Sequence, residues 1–217
     1  MLPRRRYARI LDAGCGPGMQ TICLARCLDG DITAVDTHQP FLDELGRRTR
    51  AEHFEHRVQA LDAPMESLPF DDSNFDLIWS EGAIYCIGFE RGLKLWRRFL
   101  TPEGIVVVSE LTWLRAGVPE EARRFWKQNY PGMSDIDGNV RRVFSAGYKP
   151  LATYVLPSDA WWTDYYDPLE RRIDLLDERY RGDDDALAEL RAARKEIELF
   201  RRFHDSYGYV FFAMERV

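Results

Sequence analysis

Residues Ile10 to Gly18, ILDAGCGPG, constrain this chain more than any other stretch: an apolar run, an acid, then a glycine at every second position. Ile10 and Leu11 read as the end of a buried parallel strand. Gly14, Gly16 and Gly18 let the backbone turn tightly against a ligand, and Met19 to Leu28 supplies the helix that follows. Strand, glycine loop and helix make a mononucleotide-binding unit, in which backbone N–H groups and a helix N-terminus face the ligand.

The register of the glycines separates two ligand classes. A dinucleotide fingerprint needs G-x-G-x-x-G, and here its third position is Met19, with Gly18 one residue early. Asp12 stands two residues before Gly14, where its carboxylate would repel a pyrophosphate and receive an ammonium group. Asp31 to Asp36, DITAVD, reads as the second strand, and an acid at its tip, Asp36, suits ribose hydroxyls. Two further segments carry information: Leu61 to Phe70, LDAPMESLPF, and Phe75 to Glu81, FDLIWSE.

Together these motifs resemble the class I S-adenosylmethionine-dependent methyltransferases, specifically from Tyr7 to Leu114 and more loosely to Val217. The W-S-E-G-A-I-Y run, Trp79 to Tyr85, is similar to that of bacterial small-molecule methyltransferases. The resemblance implies an α/β fold: a Rossmann-like, doubly wound seven-stranded sheet of order 3-2-1-4-5-7-6, its last strand antiparallel. It implies S-adenosyl-L-methionine as cofactor, held by Asp12, Gly14, Cys15, Gly16, Gly18, Asp36, Thr37, Asp62, Ala63, Met65 and Ser80. Met65 would offer the adenine a polarizable apolar face. The family places an acid where Pro64 falls, so the adenine amine is left to Asp62 or a backbone carbonyl.

Methyl transfer from a sulfonium needs alignment and exclusion of water first, and a base only where the acceptor carries a proton. The strand tips offer Glu81, Tyr85 and Glu110 as catalytic candidates, while His204, alone near a helix end, reads as structural or solvated. Carboxylates beside Trp and Tyr rings favour an amine or other cation as the small-molecule acceptor, with nitrogen, oxygen and carbon nucleophiles all open. A nicotinamide-dependent oxidoreductase, an RNA methyltransferase and a non-catalytic S-adenosylmethionine-binding protein are the alternatives.

The net charge of −6 argues against a nucleic-acid partner, and Arg4 to Arg6 read as a solvated leader. No apolar run approaches the roughly 20 residues of a membrane span, and MLPRRRYARIL lacks the apolar stretch of a secretory signal, which points to the cytoplasm. The four cysteines read as reduced thiols. Cys23 and Cys27, one helical turn apart, are expected in the core; no His or acid at suitable spacing completes a metal site.

The chain reads as one domain, 1–217, with strands at 9–12, 31–36, 57–61, 75–80, 104–110, 149–156 and 207–216. Thr101 to Gly104, TPEG, is expected to stop a helix over 88–100. Residues 157–206 form a helical insertion before the last strand, with helices at 167–181 and 183–204 parted at Gly182. An insertion of this length reads as a substrate lid carrying Trp161, Trp162, Tyr165 and Tyr166, with Trp113 as an opposite wall. Family members carry a helical cap before the first strand. Here eight residues precede it, so the cap is expected either to be missing or to come from the insertion.

Overall fold

The computed structural model describes residues 2–217. Strands and helices alternate through the first half: β1 (Arg9–Ala13), α1 (Met19–Cys27), β2 (Asp31–Asp36), α2 (Gln39–Ala51), β3 (Val58–Asp62), β4 (Phe75–Ser80), α3 (Phe89–Trp96) and β5 (Leu100–Trp113). Then come α4 (Glu120–Asn129), β6 (Ser134–Asp135), α5 (Ile136–Ser145), β7 (Tyr148–Val155), α6 (Ser158–Trp161), α7 (Asp167–Arg179), α8 (Asp184–Phe203) and β8 (Tyr207–Arg216). The sheet runs β3-β2-β1-β4-β5-β8-β7, with the two-residue β6 pairing β5 off this path. This is the expected order, with the last two strands renumbered by the extra β6.

The central strands are apolar because helices cover both faces of a doubly wound sheet. Ile10, Leu11, Leu77, Ile78 and Ile105 to Val108 are fully buried. Parallel pairing sets Asp12 beside Ala34 on one side and Trp79 on the other, so β1, β2 and β4 end at nearly the same level. The acids at or just beyond those ends, Asp12, Asp36 and Glu81, are thereby gathered at one edge of the sheet.

The described residues divide into two compact units. The larger holds residues 2–110, Ile136–Tyr154 and Val210–Val217, and the smaller Leu111–Asp135 and Val155–Tyr209. The smaller therefore contains the 157–206 insertion together with α4. Its interior is aromatic: the Trp161 ring lies 4.9 Å from Phe200, 4.6 Å from Tyr209 and, stacked, 5.5 Å from Tyr166. Tyr166 donates to Glu196 Oε1 at 3.0 Å.

Three local expectations change. Cys23 and Cys27 are exposed, because α1 turns Thr21, Ile22, Leu24 and Ala25 inward and leaves the thiols on the opposite face. TPEG does not end a helix at Leu100: α3 stops at Trp96, a 3₁₀ turn covers Arg97–Phe99, and β5 begins at Leu100. The pairing steps from Phe75↔Leu100 to Leu77↔Ile105, and the surplus residues bulge out through Glu103 at φ 60. The segment at the head of the insertion is helical: α6 runs through one π turn, Trp162–Tyr166, into α7. Pro168 has no N–H to return to the carbonyl four residues back, and the widened turn lies just before it.

Candidate active site

The site is built on the glycine loop of the larger unit. Gly14, Gly16 and Gly18 all have positive φ, at 76, 52 and 87, which no β-carbon-bearing residue adopts cheaply. A Cβ at Gly14 would overlap Ala83 Cβ and come within 3.1 Å of Met65 Sδ; one at Gly18 would overlap Leu45. Three loops, after β1, β3 and β4, thus converge at Gly14.

The loop's N–H groups are turned inward. Gly14 and Cys15 both donate to Val35 O at 2.9 Å, Gly16 to Asp36 Oδ2 at 2.9 Å, and Gly18 to Cys15 O at 3.0 Å. An anion cradle needs such donors free, and these are spent on the protein. The expectation that they face the ligand is corrected for these residues: this loop is a scaffold that presents acids. Asp36 also takes His38 N–H at 2.9 Å on its other oxygen, so its carboxylate splints the loop to the tip of β2 and keeps lone pairs to spare for hydroxyls.

Asp12 is wholly buried. Its Oδ2 accepts from Thr21 Oγ1 at 2.6 Å, while Oδ1 has no hydrogen-bond partner. Burial, opposed chiefly by the Thr21 hydrogen bond and aided by the charges of Glu81 and Asp36, pushes its pKa up to about 7. Ser80, next beyond the Asp12↔Trp79 pair, is equally buried and its Oγ is likewise without a partner. The orphaned carboxylate oxygen of Asp12, with Glu81 and Asp36 adding negative charge, fits a ligand that brings a positive charge and donor groups. It does not fit a pyrophosphate.

Glu81 is half-buried, and its Oε2 accepts from Trp79 Nε1 at 3.3 Å. Burial raises its pKa, with the indole bond opposing. Of the other catalytic candidates, Tyr85 is 47% exposed and Glu110 only 1%. His204 is exposed at the end of α8. The remaining cofactor candidates line the converging loops: Ala63 is buried and its N–H donates to Asp36 O at 3.2 Å, Met65 O accepts from Trp96 Nε1 at 3.0 Å, and Asp62 and Thr37 are exposed at strand ends. Cys15 is buried, its thiol pKa raised chiefly by desolvation, so it fills space between the glycines.

The aromatics of the insertion divide. Trp161 and Tyr166, 7% and 0% exposed, are committed to the interior of the smaller unit, whereas Tyr165 is 50% exposed. Trp162 is half-buried under the Arg201 guanidinium, 5.0 Å from its ring centre. Trp113 meets Tyr207 edge-on at 6.0 Å.

Sequence reasoning missed Ser109, which holds the turn after β4 by accepting Gly82 N–H at 2.7 Å. A serine in an apolar strand was the only signal.

Residues 10–104 match the family described as methyltransferase domain. The match covers a little under half of the chain, and the sheet order is that of the Rossmann-like methyltransferase fold. The malonyl-[acyl-carrier protein] O-methyltransferase of Enterobacter lignolyticus is 34% identical over 127 residues, covering 58% of this chain and 47% of that protein. The chain thus spans about half the length of such relatives. The 27-O-demethylrifamycin SV methyltransferase of Amycolatopsis mediterranei is 26% identical over 97% of this chain and 78% of that enzyme. A crystal structure of an S-adenosylmethionine-dependent methyltransferase from Geobacter sulfurreducens, in complex with S-adenosyl-L-homocysteine, shares the fold with a TM-score of 0.82 at 21% identity, covering 98% of this chain and 86% of that one. Among the described residues, no helix is long and apolar enough to cross a membrane.

Proposed function

We propose that this protein methylates a small-molecule acceptor at the ends of β1, β2 and β4, with Glu81 receiving or orienting the acceptor's proton. The observation that carries the reading is the buried carboxylate oxygen without a partner, Asp12 Oδ1, with Glu81 and Asp36 adding to its charge. S-adenosylmethionine, when bound, supplies a methyl group activated by a sulfonium leaving group. Asp12 and Ser80 would hold its charged and donor groups, Asp36 its ribose hydroxyls, and Ala63 and Met65 its base. Glu81 stands one residue beyond β4, and its raised pKa makes it a better proton acceptor than an ordinary carboxylate. The surplus of acids favours a neutral or cationic acceptor over a phosphorylated one.

The test is incubation with trideuteromethyl S-adenosylmethionine and a panel of amines, phenols, alcohols, carboxylic acids and sugar phosphates, read by mass spectrometry. Label in an amine, phenol or alcohol, abolished by Glu81→Gln, supports the reading; label confined to phosphorylated compounds overturns the electrostatic argument.

A further inference from the structure

Ser109 lies in β5 and is 2% exposed. The β4–β5 register pairs Ser80 with Val108, so Ser109 sits level with the point where β4 leaves the sheet and Glu81 begins. There its Oγ accepts Gly82 N–H at 2.7 Å, and Gly82 has φ 62. That bond fixes the peptide immediately after Glu81, while Trp79 Nε1 fixes the Glu81 carboxylate at 3.3 Å from the strand side. The same turn continues into Ala83, which is packed so closely on Gly14 that no Cβ fits between them. Glu81 is therefore clamped from both sides, between the glycine loop and β5.

We infer that Ser109 is a positioning residue for methyl transfer: its hydroxyl locks the 81–83 turn and so keeps the Glu81 carboxylate partly desolvated at the sheet edge beside Asp12. This rests on the reading of Glu81 given above. A strand serine of this kind also satisfies a backbone donor, which any acceptor of the same size would do. The inference asks for more, namely that the environment of Glu81 depends on it. Burial and the Trp79 indole from β4 set this environment, and Glu81 in turn adds to the charge acting on Asp12 in β1.

The experiment needs no acceptor. Protein labelled with carboxyl-¹³C glutamate is titrated by NMR, the Glu81 signal being assigned by its absence in Glu81→Gln, and Gly82 amide exchange is followed in parallel. Ser109→Cys keeps the volume and loses the strong acceptor. Gly82 exchange should quicken at least about tenfold, and the Glu81 midpoint should fall by about half a pH unit or more towards the ordinary carboxylate value. Ser109→Thr should restore both, and S-adenosylhomocysteine affinity by calorimetry should stay within about threefold. Trp79→Phe should move the midpoint the opposite way, because the bond it removes favours the charged form. If Ser109→Cys does not fold, the smaller Ser109→Ala serves for the same measurement. An unchanged Glu81 midpoint with a quickened Gly82 amide would leave Ser109 a purely structural acceptor and overturn the inference. Normal methylation by Glu81→Gln would sink the role of Glu81 instead, and the two failures are read in separate experiments.

Discussion

The strand-tip loops of the larger unit and the aromatic interior of the smaller one both bury polar atoms without protein partners, but of opposite kind. At the strand tips the orphan is a carboxylate oxygen, Asp12 Oδ1, with Asp36 and Glu81 adding to its charge. In the smaller unit it is an indole donor, Trp161 Nε1, surrounded by the neutral rings of Tyr166, Phe200 and Tyr209. A neutral donor left unpaired costs about 1–3 kcal/mol, which the packing of large rings offsets. An ionised carboxylate is far costlier to leave unpaired, so burial pushes the Asp12 pKa up to about 7 and its charge calls for a cation. An orphan acceptor among acids marks a binding site; an orphan donor among rings marks a core.

The largest effect that sharpens this contrast is expected from Phe200→Ala. It removes a ring, 1% exposed, from the centre of the aromatic cluster and should lower unfolding free energy by about 3–5 kcal/mol. S-adenosylhomocysteine binding to the folded variant should stay within about twofold, and a large loss would break the division of labour. Gly14→Ala should cost about 3 kcal/mol, from left-handed strain and overlap with Ala83, and abolish cofactor binding by calorimetry.

Asp12→Asn acts in two directions. It should weaken S-adenosylmethionine binding by about 1–3 kcal/mol yet stabilise the ligand-free fold at pH 8. The raised pKa means the folded state holds a proton that the unfolded chain releases near pH 4. Wild-type stability therefore falls as pH rises from about 4 to about 7, then levels off. Melting curves of wild type and Asp12→Asn should coincide near pH 4 and separate by pH 8; parallel curves would show that Asp12 is ionised at no cost. The smallest effect is on affinity: if the cofactor needs ionised Asp12, binding should tighten about tenfold between pH 6 and pH 8. A flat profile would place the cofactor's charge elsewhere.

Much of the framework that carries the candidate site was legible because its constraints are local. The strand limits 31–36, 75–80 and 207–216 are those of β2, β4 and β8, and Asp12, Gly14 and Ser80 stand at or just beyond the carboxyl ends of β1 and β4. What escaped depends on tertiary partners. Cys23 and Cys27 read as core because α1 offers apolar residues on every side, and only the sheet beneath it selects the Ile22 and Leu24 face. TPEG looks like a terminator, yet pairing of Leu100 with Phe75 holds it inside a bulged strand. The inward turn of the loop N–H groups was hidden because their acceptors, Val35 O and Asp36, come from the neighbouring strand.

The outward face of α1 has a practical consequence. Cys23 and Cys27 stand one turn apart on the helix that rises from the glycine loop, both open to solvent. A bifunctional nitroxide bridging them would be held rigidly to the backbone, and distances from it to a second label on α2 would report how far the loop moves when the cofactor enters.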